Sequence, residues 1–322
     1  MKRRQFCAAA SAVAVAGWPG VHAETVDKVT RILIGFPPGG TADVVARSLA
    51  ERLRGSYAPT VLVEHRPGAR GVPVMNAVLG AEADGSTLLL MPHAMMTLWP
   101  HVYRNLPYDS FRDLRVVAMV ATLEFALAVN PSVPARTVSE FLAWSKANPQ
   151  RALYGTLGPG SSPEFLGFQL SQDAGVKLGP VPYRGSAPGV IDLIGGQTPA
   201  WIGPLGDIIQ HHAAGKARII ATSGIARSRF LPEVPTFAEM GFPNVLLEER
   251  WGVFVRKDTP ALVTDALTKL LLDAVRHPEY RATTDKITYE AKGAGAPQFT
   301  AIIQREHERW RRIVAASGYS PD

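Results

Sequence analysis

Short aliphatic runs alternate along the chain with longer segments in which apolar residues recur every three or four positions. The runs are typical of buried strands, and the periodic segments are typical of helices that cover a sheet. Strand, helix and strand at these spacings predict an α/β protein with mostly parallel sheets covered on both faces. Strands are predicted at 30–36, 60–64, 86–91, 125–130, 153–156, 218–222 and 251–255, and helices at 41–53, 138–147, 163–173, 187–194, 260–277 and 298–316.

The first 23 residues have the three-part pattern of a secretory signal peptide. A basic start, Met1–Phe6, precedes an apolar run, Cys7–Gly17, that is too short to span a bilayer, and small residues lead to a cleavage site after Ala23. The pattern therefore predicts a signal peptide at 1–23 and a periplasmic protein; the alternative is a buried N-terminal helix. Arg3 and Arg4 also suggest a twin-arginine signal, so the export route stays open between this route and the Sec route.

The composition excludes several classes of protein. With 322 residues, of which 46% are hydrophobic, the chain is long enough for two domains with buried cores. Cleavage after Ala23 removes Cys7, the only cysteine, so the mature chain has no disulfide, no thiolate nucleophile and no cysteine-based metal site. Cleavage also lowers the net charge from +6 to +3, and a weakly basic chain without a Lys/Arg run argues against nucleic-acid binding. After the signal peptide, no segment reaches 18 consecutive apolar residues, so the sequence predicts no membrane span.

Three loops share one design: a strand, a turn rich in glycine, serine or threonine, and the start of a helix. They are Phe36–Asp43, Gly158–Glu164 and Tyr183–Pro188. Glycine lets a ligand approach the backbone closely, and the unpaired N–H groups of a helix start attract anions. In the second loop the N-cap is either Ser161, in a capping box with Glu164, or Ser162, with Pro163 at the first helical position. Each loop alone is explained by the ordinary turn and N-cap preferences of a helix start. The three together predict a carboxylate site in a cleft, without metal or cofactor.

Isolated polar residues are weaker candidates for chemistry. His93 follows the third strand, at the carboxyl end where open α/β sheets bind ligands, and a structural loop histidine is an equal alternative. Asp43 is either a general base or a residue that staples its own loop. His211 and His212 lie on a polar helical stretch, which is interpreted as a solvated face and not as a metal site. The sequence contains no Gly-x-Ser-x-Gly, Gly-x-Gly-x-x-Gly or Walker A motif.

Several motifs follow one another in a fixed order over essentially the whole mature chain. They are Phe36–Arg47, Val63–Gly71, Ala83–Leu89, Tyr108–Asp113, Val181–Pro188, Asp192–Gln197 and Leu231–Gly241. This series resembles the tripartite tricarboxylate transporter substrate-binding protein family, also called the Bug receptors. The resemblance implies a type II periplasmic-binding-protein fold, in which two α/β lobes with mixed, mostly parallel sheets close on a small organic acid. It also implies that lobe one holds 24–124 and 248–322, that lobe two holds 125–247, and that the hinges lie near 124–125 and 249–250.

The resemblance implies a ligand site, to which His93 is added for its position after the third strand. The candidate residues are Phe36, Gly39, Gly40, Thr41, Asp43, Thr87 and His93 in lobe one and Ser161, Ser162, Tyr183, Arg184, Gly185 and Ser186 in lobe two. Several positions depart from the family pattern: His65 replaces an asparagine, Arg70 a small residue and Arg184 a lysine, and 256–258 replaces a stretch rich in alanine and proline. The last of these is interpreted as surface drift. Whether His65 and Arg70 alter the ligand or lie outside the cleft stays open.

The function implied by the resemblance is that of an exported receptor. Such a protein captures a small mono-, di- or tricarboxylate by hinge closure and delivers it to a membrane transporter, and no cofactor and no nucleic acid take part. The alternative is a periplasmic enzyme or a sensory domain that acts on a carboxylate in the same cleft. The sequence does not name the carboxylate.

Overall fold

One long strand, β4, joins two mixed α/β sheets. The structure is a computed structural model that describes residues 28–68 and 71–319. The predicted signal peptide with Cys7, and Arg70, lie outside the described residues. We refer to each sheet with its covering helices as a lobe.

The sheet of lobe one has parallel strands on one side and antiparallel strands on the other. β1 pairs in parallel with β2 and with β3. β9 lies antiparallel between β3 and the first part of β4, and the short β10 pairs with the same part of β4. The strands are β1 (Thr30–Ile34), β2 (Val61–His65), β3 (Thr87–Pro92), β4 (Leu114–Val129), β9 (Glu248–Arg256) and β10 (Ala294–Gly295).

The sheet of lobe two repeats this mixed arrangement. β5 is parallel to β6 and to β7, and the last part of β4 is antiparallel to β7 and to β8. The strands are β5 (Leu153–Thr156), β6 (Gly179–Pro182), β7 (Ala200–Pro204) and β8 (Arg218–Thr222).

The helices cover both sheets through apolar stripes at helical spacing. In lobe one they are α1 (Thr41–Leu53), α2 (Val72–Leu79), α3 (Ala94–Thr97), α4 (Trp99–Val102), α9 (Ala261–Arg276), α10 (Pro278–Asp285) and α11 (Ala296–Ser317). In lobe two they are α5 (Val138–Ala147), α6 (Ser162–Ala174), α7 (Ser186–Ile194) and α8 (Leu205–Ala213). Within the described residues, no helix is long and apolar enough to span a bilayer.

The change from one sheet to the other falls in the middle of β4. Residues up to Glu124 pair with β9, and residues from Phe125 onward pair with β7 and β8. Ser223 ties this point to the start of β9, because its backbone N–H donates to the Phe125 carbonyl and its carbonyl accepts from Leu247 N–H, both at 2.9 Å. The Ser223 hydroxyl accepts from Phe125 N–H and donates to the Leu247 carbonyl. The two segments that cross between the lobes are therefore held side by side.

The predicted elements with a clear period are present, and α5, β5 and β8 have the predicted bounds. The first part of β4 was not predicted, because Val117–Ala121 is buried on both faces and such an apolar run shows no alternation. β6 and β7 were missed as well, since both end in a proline and β6 contains two. Pro232–Pro243 is irregular, as predicted.

Candidate functional site

The first loop carries unpaired backbone donors at the start of α1. Gly40 is the N-cap, with φ −83° and ψ 177°, and it has no side chain that could pair with the first turn. The N–H groups of Thr41 and Ala42 have no hydrogen-bond partner within the described residues. The positive end of the helix dipole adds to these donors, so this helix start can hold a carboxylate.

Asp43 acts as a staple: its carboxylate ties the backbone of the first loop to neighbouring side chains. Its carboxylate accepts from Gly39 N–H at 3.0 Å, from His65 Nε2 at 2.9 Å and from Arg47 Nε at 2.9 Å. Burial by itself would raise the pKa of Asp43, but these hydrogen bonds outweigh burial and hold the pKa below its ordinary value. Of the two predicted roles, the staple is the one its contacts match. The N–H of Gly39 is already engaged, and His65 contacts the staple.

Three aromatic rings pack in a row beside this loop. The ring of Phe36 lies 5.5 Å from that of Trp251, and the ring of Trp251 lies 6.3 Å from that of Tyr289. The hydroxyl of Tyr289 is 2.9 Å from Thr41 Oγ1, which fixes the Thr41 side chain. Burial, and then the negative charges of Asp207 and Glu249, raise the pKa of Tyr289, so it is a neutral phenol.

His93 belongs to a buried cluster that reaches from one lobe to the other. Its side chain is 1% exposed, and its Nδ1 lies 2.5 Å from Glu249 Oε1. The same carboxylate accepts from Ala94 N–H at 3.2 Å and from the Ser162 hydroxyl of lobe two at 3.4 Å. His93 Nε2 has no partner within the described residues. Glu249, predicted only as a hinge position, thus connects both lobes at the cleft.

The second loop ends at the start of α6. Ser161 is the N-cap, with an extended backbone, and the alternative with Ser162 as N-cap is wrong because Ser162 is already helical. Glu164 accepts from Gly160 N–H at 2.6 Å and from Ser161 N–H, which is one half of a capping box. The Ser161 hydroxyl is 3.2 Å from Thr156 Oγ1 instead of capping the helix. The N–H of Ser162 has no partner within the described residues.

The third loop presents the start of α7. Gly185 is the N-cap with φ +94°, a conformation that favours glycine, and its N–H donates to the Tyr183 carbonyl at 2.9 Å. The N–H groups of Ser186 and Ala187 have no partner within the described residues. Arg184 is exposed and forms no ion pair with another described residue. This loop therefore offers two backbone donors and one exposed cation.

Tyr183 is held within lobe two. Its hydroxyl donates to Asp192 at 2.8 Å, and its ring lies 6.2 Å from that of Trp201. Trp201 is fully buried in a slot that Gly155, Gly189 and Gly203 leave open, and a Cβ at any of them would lie within 2.8 Å of its indole. Trp201 is therefore part of the core. Because the Tyr183 hydroxyl is engaged by Asp192, the backbone of Tyr183 is the part of this residue that is available to a ligand.

Within each lobe the candidate residues lie together, because parallel strands bring their carboxyl ends to one edge of a sheet. Loop one follows β1, His93 follows β3, and the second and third loops follow β5 and β6. Thr87 is the exception among the predicted residues: it begins β3 and pairs beside Arg31 near the start of β1, at the opposite edge. The structure therefore does not bring Thr87 to the site.

Asp207, Glu249, Trp251 and Tyr289 join the site although the sequence did not indicate them. Asp207 reads as an ordinary acid of a helix first turn, and Glu249 stands in a charged stretch before an apolar strand. No group of three or more His, Cys, Asp or Glu residues among the described positions could hold a metal ion. His212 Nδ1 accepts from Ile219 N–H at 3.2 Å, so this histidine ties α8 to β8.

Two sheets joined by crossover strands, with unpaired N–H groups at helix starts of both lobes, match a solute-binding protein of the periplasmic type. A family model described as "Tripartite tricarboxylate transporter family receptor" matches residues 45–319, and the chain belongs to this family. The predicted family and receptor class are thereby confirmed.

Named relatives agree with this assignment. The chain is 31% identical over 296 residues to protein BugT of Bordetella pertussis, which covers 89% of each chain. The structure of periplasmic binding protein BugD is similar with a TM-score of 0.77 and 26% identity, covering 91% of this chain and 99% of BugD. The structure of R. palustris Rpa4515 with adipate is similar with a TM-score of 0.81 and 26% identity, covering 91% of this chain and 99% of that protein. The predicted fold is confirmed by these structures.

Proposed function

We propose that this protein captures a small organic carboxylate between its lobes, closes on it by hinge motion and delivers it to a membrane transporter. The lobe boundaries in this proposal are 24–124 with 248–322, and 125–247. A signal peptide at 1–23 would direct the chain to the periplasm. The proposed role is reversible capture, in which no bond of the ligand is broken.

The observation that carries this proposal is the set of unpaired N–H groups at helix starts of both lobes. Thr41 and Ala42 supply them in lobe one, and Ser162, Ser186 and Ala187 supply them in lobe two. A carboxylate oxygen that accepts from such donors forms charge-assisted hydrogen bonds, each worth about 1.5–3 kcal/mol. The two-sided placement favours the state in which both lobes contact the ligand. The adipate named with the related Rpa4515 structure is a carboxylate of this kind.

The crossover at β4 and β9 supports a hinge mechanism. Few residues pass between the lobes there, and Ser223 holds the two segments together through hydrogen bonds to Phe125 and Leu247. A short paired hinge restricts motion to opening and closing, which is how two-lobe receptors enclose a ligand.

Isothermal titration of the mature protein against a panel of aliphatic and aromatic mono-, di- and tricarboxylates tests the proposal. We expect saturable, one-to-one binding of at least one acid, with the acid recovered unchanged. Each acid that binds is then incubated with catalytic amounts of the protein and assayed for products. Binding to none of the acids, or product formation, would contradict the receptor function.

Replacement of Arg184 by alanine is expected to weaken an anionic ligand about three- to tenfold. The side chain is exposed, so solvent screens its charge and the effect is moderate. Titration with the best acid and with its neutral amide measures the effect, and we expect the amide to lose little. Arg281→Ala, an exposed arginine on α10, controls for the change of net charge. An equal loss for the acid and the amide would assign Arg184 to packing.

A further inference from the structure

A carboxyl group of lobe two lies between the donor loops of the two lobes. Asp207 stands in the first turn of α8, and its Oδ2 accepts from the hydroxyl of Ser186, the first residue of α7, at 2.5 Å. The start of α8 contacts lobe one, because a Cβ on Gly206 would lie 2.9 Å from the Ile287 carbonyl oxygen. Asp207 is thereby positioned beside the segment that carries Tyr289.

The charge of Asp207 acts on the lobe-one side of the site. It contributes to raising the pKa of Tyr289, whose hydroxyl is 2.9 Å from Thr41 Oγ1. Ser186 and Thr41 begin two of the three helices whose N–H groups we assign to the ligand. Asp207 therefore lies along the path between the two sets of carboxylate donors.

Asp207 has no cationic partner within the described residues. None of the ion pairs there includes Asp207, and the neutral Ser186 hydroxyl is its hydrogen-bond partner. Burial raises the pKa of Asp207, and the Ser186 hydroxyl opposes that rise. Asp207 is half-buried, so its carboxylate has lost part of its hydration. That loss is costly without a cation nearby, and the cost falls when a cation arrives with the ligand.

We propose that the ligand carries an ammonium group beside its carboxylate, and that Asp207 is the residue that selects it. This inference rests on the proposed function, since the N–H groups of the helix starts must hold the carboxylate. The ligand is then an amino acid or a related amino-substituted carboxylate. A carboxylate without the amine binds more weakly, because it covers the Asp207 carboxylate without supplying a cation.

Matched pairs of acids test the inference. Succinate and aspartate differ by one ammonium group, as do glutarate and glutamate, and malate carries a hydroxyl in place of the amine. Titration calorimetry on the mature protein is expected to give at least about tenfold tighter binding for the amine-bearing member of a pair. Asp207→Asn is expected to remove most of this preference by weakening the amine-bearing acid. Asp173→Asn, an exposed acid on α6, is the control and should keep the preference.

The outcomes separate this inference from the proposed function. If no acid of the wider panel binds, the proposed function fails. If acids bind but the members of each pair bind equally, or malate binds most tightly, the inference alone is overturned. A preference for amines that persists in Asp207→Asn, with an unchanged melting temperature, would also overturn the role of Asp207.

Discussion

Gly40→Val is expected to lower the affinity for the ligand carboxylate by about 100-fold or more, with little change in stability. Gly40 has φ −83° and ψ 177°, which any residue adopts, and a Cβ there would contact only the Pro37 carbonyl oxygen, at 3.9 Å. The valine side chain would stand in front of the N–H groups of Thr41 and Ala42. Loss of two charge-assisted hydrogen bonds at about 1.5–3 kcal/mol each accounts for the expected size. Titration calorimetry measures the affinity, and urea unfolding measures the stability.

Gly295→Val is a matched control for this prediction. Gly295 is also an N-cap, with φ −71° and ψ 169°, and its Cβ would make ordinary contacts at 3.6 and 3.8 Å. It begins α11, whose first turn is not part of the candidate site. Gly185 is unsuitable for the same experiment, because its φ of +94° would strain any other residue. Unchanged affinity in Gly40→Val would remove loop one from the ligand site.

Glu124→Gln is expected to stabilise the protein above pH 7 and to flatten its pH dependence. Glu124 ends the lobe-one part of β4 and lies directly opposite Glu248 on β9. Burial, and then the charges of Glu248 and Glu290, raise the pKa of Glu124 to about 7. Its Oε2 has no hydrogen-bond partner within the described residues. The crossover between the lobes thus contains a carboxyl group that the folded state prefers to keep protonated.

The direction of the pH effect follows from this preference. The folded state binds the proton of Glu124 more tightly than the unfolded state does, so the contribution to stability is greatest below the ordinary carboxyl pKa. It is lost as the pH rises through about 7, the folded-state pKa. Partial solvent access and the opposing contacts of Ser228 and Lys292 make this pH effect smaller. We therefore expect the free energy of unfolding to fall by about 1–2 kcal/mol.

Urea unfolding between pH 5 and pH 8 measures this effect in the wild type and in Glu124→Gln. The glutamine variant should be the more stable protein at pH 8 and should lack most of the slope. Glu233→Gln is the control, because Glu233 is exposed on the irregular segment after β8. An identical slope in the wild type and Glu124→Gln would show that another group titrates.

The three loops show how much of the site local sequence patterns can predict. Glycine, proline and serine at fixed spacing after a strand indicated the turns at Gly40, Ser161 and Gly185, because turn and cap preferences depend on neighbouring residues. The same information could not tell which N–H groups are free. Gly39 is engaged by Asp43 and Gly185 by Tyr183, and both contacts depend on the exact course of the backbone.

Residues far apart in the chain were beyond such reasoning. His93 and Glu249 are 156 positions apart, and Thr41 and Tyr289 are 248 positions apart, yet each pair forms a hydrogen bond. Thr87 shows the reverse case: it stands in a family motif, but the direction of β3 places it at the opposite edge of the sheet.

The α/β class, the three helix starts that can bind an anion and, through ordered motifs, the receptor family all follow from the amino-acid sequence alone. These features rest on local periodicity, on cap and turn chemistry and on the order of segments, which the chain carries in short windows. The roles of three acids emerge only from the folded arrangement: Asp43 is a staple, Glu249 connects the lobes, and Asp207 lies beside Ser186 without a cationic partner among the described residues. Such roles depend on which distant side chains share one buried space, and packing of the two sheets sets that arrangement.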